Sequence, residues 1–241
     1  MGAIRPYLHE FRSGLTSGWP KITGQCFIGG ARSTKRFASD GLPLVVVFAK
    51  APRPGFVKTR LGLEPTAAAS LYSEFVRRTL TTVTLLHGEA MLELSLDVDC
   101  AAWAEFSIAR TIQPEGNLGV RLYATLERGL SAGHPNVVIL GSDSPTLPVK
   151  HIRWLLESKA DVALGPALDG GYYGIGCRKI KATMFDGVRW STSDALKNTI
   201  RAMERCGLSC GLGPEWFDVD RPEDLHRLKE SAAVENMKSN R

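Results

Sequence analysis

Short apolar runs alternating with segments of helical period constrain this chain more than any other feature. Residues 44–49 (LVVVFA) and 136–140 are β-branched and too short for buried helices, so they are predicted as buried strands. In residues 92–96, Leu92, Leu94 and Leu96 alternate with Glu93 and Ser95, the pattern of a half-buried strand. Between these runs, Leu71, Phe75, Leu80, Val83 and Leu86 recur close to every 3.6 residues, which predicts a helix over about 66–86. Further helical stretches fall near 118–130, 149–158 and 193–206. Strands alternating with helices imply an α/β fold with a mainly parallel sheet and right-handed crossovers, whose ligands gather at the carboxyl ends of the strands.

Neither a repeat nor a linker splits residues 41–230, so they read as a single domain. Residues 1–40 show no apolar period and read as a disordered extension, and residues 231–241 as a tail. The first forty residues hold six Lys/Arg against two acids, most of the chain's net charge of +5. The nearly neutral body therefore does not carry the clustered basic face that nucleic-acid binding requires. No apolar run approaches the ~20 residues of a membrane span. Five cysteines without a CxxC pair fit a reducing cytoplasm, and the five histidines show no ligand spacing.

Four loops are placed by this pattern at the strand ends. Lys50, Arg53, Lys58 and Arg60 lie in KAPRPGFVKTR, whose prolines restrict the backbone, and cations at a strand's carboxyl end suit a phosphate. The segment is neither a Walker loop nor a GxGxxG fingerprint. In QPEGNLGVR, Gly116 and Gly119 permit close approach to a flat ligand, while Gln113 and Asn117 can hydrogen-bond a base edge. Asp143 in GSDSPTLP, directly after an apolar strand, is a candidate ligand for Mg²⁺ or Mn²⁺, with an Asx turn as its alternative role. Asp169 precedes Gly170 and Gly171 in GPALDGGYYGIG, read as a loop open to a ligand, with glycines that serve only the turn as the alternative. In FDVDRPEDL, Asp218 and Asp220 share one side of an extended segment, and Asp220 has the alternative role of a helix N-cap with Glu223 as its capping-box partner.

The stretches VFAKAPRPGFVKTRL, QPEGNLGVRL, LGSDSPTLP, LGPALDGGYYGIG, RWSTSDAL and FDVDRPEDL together resemble one bacterial family. Its members are glycosyltransferase-like proteins first grouped as a domain of unknown function (2064) and later tied to arsenosugar biosynthesis. The resemblance implies the GT-A fold of nucleotide-diphospho-sugar transferases, a Rossmann-like three-layer sandwich. It also implies that Lys58 and Arg60 contact phosphates and that Asp143 and Asp218, with Asp220 as deputy, bind the metal. Gly119 and Arg121 fall where related cytidylyltransferases contact the nucleotide. Where the family usually has an acid, this chain has Asn117.

The chemistry implied is glycosyl transfer from a nucleotide-diphosphate sugar to a small acceptor, with Asp169 as acceptor-binding residue or general base. Nucleotidyl transfer from a nucleoside triphosphate uses the same anchors and is the alternative. A binding protein that keeps the fold without catalysis is the third reading.

Overall fold

A computed structural model describes residues 41–228 and 230. The readings of residues 1–40 and 231–241 lie outside the described residues. One seven-stranded sheet has the order β3-β2-β1-β4-β6-β5-β7. Its strands are β1 (Leu44–Ala49), β2 (Met91–Leu96), β3 (Ala109–Ile112), β4 (Val137–Leu140), β5 (Val162–Pro166), β6 (Tyr172–Cys177) and β7 (Cys210–Leu212). All neighbours pair in parallel except that β6 runs antiparallel to both β4 and β5.

Helices among the described residues cover the two faces: α1 (Pro65–Thr84), α2 (Leu118–Ser131), α3 (Val149–Glu157) and α4 (Ala195–Arg205). The alternation of strand residues decides which helix each face receives. Val45, Val47, Val138 and Leu140 pack with α1 and α3 through Val76, Leu80, Ile152 and Leu155. Leu44, Val46, Val137 and Ile139 pack with α2 and α4 through Leu122, Leu126 and Met203. The result is the expected three-layer α/β sandwich with two cores.

Two strand readings need correction. β2 is buried on both faces, because Glu93 is covered by α2 and held by both terminal guanidinium nitrogens of Arg128, while Thr111 donates to it at 2.7 Å. The stretch from Gly165 to Gly176 is a β-hairpin rather than a loop: it ends β5 and forms most of β6. Its glycines make room for neighbouring side chains. A Cβ on Gly165 would lie 2.2 Å from the Tyr173 ring, and one on Gly174 within 2.9 Å of Leu140 and Leu155.

Among the described residues no helix is long and apolar enough to cross a membrane. Cys100, Cys177, Cys206 and Cys210 are free thiols.

Candidate active site

Strand order reverses between β1 and β4, and at such a switch point the following loops diverge to opposite faces and open a crevice. A cleft of about 540 Å³ lies there. Lys50 enters it directly after β1, and Gly141, Ser142 and Asp143 directly after β4.

The two acidic stretches meet at this mouth. The amide of Val219 donates to the carbonyl of Asp143 at 2.9 Å, stitching the segment after Phe217 onto the β4 loop. Asp218 then accepts a hydrogen bond from the Ser144 hydroxyl. Lys58 completes the cluster, with its Nζ 2.6 Å from both Asp143 Oδ1 and Asp220 Oδ1. The Lys58 side chain is only 4% exposed and lies over the Phe75 ring, 5.7 Å from its centroid. Burial opposes its charge, but the two carboxylates outweigh that penalty and raise its pKa.

Asp218 responds in the opposite sense. Burial, opposed by the Ser144 hydrogen bond and reinforced by Asp143, Asp169 and Asp220, pushes its carboxyl up to about 7. Too much negative charge is gathered here for one ammonium to balance.

The cationic loop is fixed by residues that carry no motif. Tyr72 on α1 accepts from the Lys50 amide at 2.9 Å and pairs with Ser142 Oγ at the same distance, tying the β1 loop to the β4 loop. Burial pushes the Tyr72 hydroxyl pKa up, so it stays a neutral link. Asp97, at the end of β2, accepts from the Ala51 amide at 2.6 Å and from Arg53 at 3.2 Å. Asp97 follows an apolar strand just as Asp143 does, a signal the sequence carried. Tyr72 gave none, since it sits on the apolar face of α1 and reads as core.

Of the sequence candidates, Lys50, Lys58, Arg60, Gln113, Arg121, Asp143, Asp218 and Asp220 line the cleft. Gln113 donates to the carbonyls of Ser95 and Ala49 and accepts from Arg121, whose Nε is held by Gly116. The pair is thus rigid before any ligand arrives.

Other candidates stand elsewhere. Asn117 caps α2, its Oδ1 accepting from the Val120 amide at 3.1 Å. Gly119 makes room for Trp190, whose ring a Cβ would meet at 3.0 Å. Gly170 has φ +87°, and a Cβ there would lie 2.0 Å from the Ser193 carbonyl, so the close approach is by this chain's own backbone rather than a ligand. Gly171 closes an Asx turn by donating to Asp169 Oδ1 at 2.8 Å. Asp169 is exposed beside the cleft, within electrostatic reach of Asp218. Asp220 is not the helix cap: Asp224 accepts from the amides of Asp220 and Arg221, freeing the Asp220 carboxylate for Lys58.

The three carboxylates suit a hard divalent cation in charge and in donor type, oxygen for Mg²⁺ or Mn²⁺. Yet among the described residues no three His, Cys, Asp or Glu side chains are mutually arranged as a preformed metal site. Asp143 and Asp220 are paired with the Lys58 ammonium instead, and Asp218 with the Ser144 hydroxyl.

Comparison with known proteins agrees with this architecture. A family described as an uncharacterized protein conserved in bacteria (DUF2064) matches residues 76–192. A crystal structure from Desulfovibrio desulfuricans G20, provisionally assigned as a nucleotide-diphospho-sugar transferase, shares 34% identity and a TM-score of 0.68. The match covers 74% of this chain and 82% of that one. The chain belongs to this family of nucleotide-diphospho-sugar transferase-like proteins.

Two more distant structures share the fold. CMP:2-keto-3-deoxy-manno-octonic acid synthetase, solved with CTP, is 12% identical with a TM-score of 0.53, covering 80% of this chain and 99% of its own. The 4-diphosphocytidyl-2C-methyl-D-erythritol synthase of Anaerococcus prevotii DSM 20548 is 11% identical with a TM-score of 0.50, covering 83% and 98%. No protein of curated function matches the sequence.

Proposed function

We propose that this protein is a transferase that moves a glycosyl group from a nucleotide-diphosphate sugar to a small acceptor, as its resemblance to the arsenosugar-type proteins implies. The observation that carries the reading is the meeting of Asp143, Asp218 and Asp220 in one cleft that Lys50, Arg60 and Arg121 also line. The three aspartates would hold Mg²⁺ or Mn²⁺, which neutralises charge on the departing diphosphate.

The rest falls to this chain's own groups. Arg60 and Lys50 bind and orient the diphosphate, and Gln113 with Arg121 present a rigid polar edge to the nucleoside. Asp169, whose Oδ2 lies outside the turn that engages Oδ1, would take the acceptor hydroxyl's proton. The free cysteines support a cytoplasmic, reducing setting.

The test is a thermal-shift screen of nucleotide sugars and nucleoside triphosphates, with and without Mn²⁺, on wild type and Asp143→Asn. Specific binding raises the melting temperature by mass action. The wild type is expected to show a metal-dependent shift with a nucleotide sugar that the variant loses. An undiminished shift in the variant removes Asp143 from the site. Acceptor-dependent pyrophosphate release from a triphosphate would replace glycosyl transfer with nucleotidyl transfer, and binding without turnover would leave a nucleotide-binding protein.

A further inference from the structure

We propose that the nucleoside end of the cleft selects its nucleotide by base. Arg121 presents a fork of N–H groups that is satisfied by a base with two neighbouring acceptors, guanine through N7 and O6 or cytosine through N3 and O2. The proposal rests on the reading above that Gln113 and Arg121 meet the nucleoside.

Three observations carry it. The first is what Gln113 has already spent. Its amide nitrogen donates to the carbonyls of Ser95 at 2.9 Å and Ala49 at 3.3 Å, which uses both hydrogens, and its oxygen accepts from Arg121 Nη1 at 3.3 Å. The glutamine that the sequence offers as a base reader therefore has no donor left, and it serves to hold the arginine.

The second is what Arg121 keeps. Of a guanidinium's five N–H groups, Nε–H goes to the Gly116 carbonyl at 2.9 Å and one Nη1–H to Gln113, which leaves three in a plane fixed from two sides. Arg121 lines the cleft. Against these three hydrogens the pair offers a ligand one lone pair, on Gln113 Oε1, so the edge is predominantly a donor edge. Guanine and cytosine each set two acceptors side by side. Adenine sets its amino group beside N7 and N1, and uracil sets N3–H between its carbonyls, so with either base one arm of the fork stays unpaired.

The third is the surface beside the fork. Leu118 lies three residues before Arg121 on α2, hence on the same helix face, and lines the same cleft while 43% exposed. Phe56, 64% exposed, lines it too, with the Arg53 guanidinium over its ring at 4.6 Å from the centroid. Apolar surface beside a planar donor fork fits a heterocycle, which has a polar edge and a stacking face, better than it fits a phosphate.

The probes are GDP, CDP, ADP and UDP, titrated calorimetrically in one Mg²⁺ buffer into wild type and Arg121→Lys. GDP or CDP is expected to bind wild type at least about tenfold more tightly than ADP and UDP, the worth of one charge-assisted hydrogen bond. Arg121→Lys keeps the charge and loses the fork, and should bring the favoured nucleotide to within about threefold of the others. Four equal affinities in wild type, or a preference for ADP or UDP, overturn the proposal and leave the nucleotide reading standing. A variant that weakens all four alike makes Arg121 a phosphate contact and overturns it as well. Failure of all four to bind wild type overturns both readings together.

A second measurement uses wild type alone and does not depend on whether the variant folds. Replacing the ring nitrogen that the fork requires by C–H, as in 7-deaza-GDP or 3-deaza-CDP, is expected to weaken the favoured nucleotide about tenfold. Unchanged affinity for the deaza compound shows that the fork does not read that edge and overturns the proposal.

Discussion

At the scale of single residues, Asp218 and Lys58 divide the consequences of crowding like charges. Lys58 is paired twice and holds its charge, whereas Asp218, buried with one hydroxyl donor, binds its proton more tightly than a free carboxyl. Its carboxyl, pushed up to about 7, makes metal-free protein sensitive to pH. The sign follows from linkage: a raised folded-state pKa gives stability that is complete below about pH 4 and lost as pH climbs through about 7. Asp218→Asn keeps an acceptor for Ser144 and removes the titration. In thermal and urea melts with EDTA, wild type is therefore expected to lose about 2 kcal/mol between pH 5 and 8 that the variant retains. Parallel pH profiles for the two proteins would mean that Asp218 stays ionised and hydrated. The candidate acids were legible because they follow apolar strands or alternate along extended chain. Lys58 was legible as a cation of the site but its pairing with these acids was not, since a cation near a strand end looks the same whether it faces solvent, phosphate or carboxylate.

At the scale of elements, the helices and the central strands β1 and β4 were legible from period and β-branching alone. The edges and the hairpin were not. β3 is largely exposed and β7 has three residues, so neither carries an apolar run. β6 (YYGIGC) hides behind glycines that are there for packing, Gly174 and Gly176 letting α3 approach the sheet. The turn joining β5 to β6 shows the same ambiguity, because Asp-Gly-Gly suits both a ligand loop and a tight reversal. Its geometry decides in favour of the reversal at Gly170, whose carbonyl also accepts from the Leu196 amide at 2.9 Å. Gly170→Ala would add a Cβ in left-handed backbone against the Ser193 main chain, and is expected to cost about 3 kcal/mol in urea unfolding. Gly171→Ala meets only the Asp169 carboxylate at 3.1 Å and should cost less than about 1 kcal/mol. Similar costs at the two positions would count against the packing account and restore Gly170 as a ligand-approach residue.

At the scale of the whole molecule, the sheet sorts charge. Strands parallel to β1 all deliver their loops to one end, and there the acids of the β4 loop and the 218–220 segment face the cations of the β1 loop across one cleft. At the other end the charged pairs are closed structural ones. Glu89 precedes β2 and pairs with Arg153 through two guanidinium nitrogens, while Asp161 precedes β5 and is tied to Lys179 and Ser209. The cleft end presents cations in a concave wall, where field lines from an anionic ligand are focused rather than dispersed. Removing a cleft cation should weaken nucleotide-diphosphate binding, and removing an equally charged residue at the far end should not. By isothermal titration at fixed Mn²⁺, Lys50→Ala and Arg60→Ala are each expected to raise Kd about tenfold, the worth of one charge-assisted contact. Each should also flatten the dependence of Kd on salt. Arg153→Ala changes the net charge by the same amount and should leave both quantities unchanged. A matching loss in Arg153→Ala would show that binding follows total charge, and the cleft would no longer be the place where the diphosphate sits.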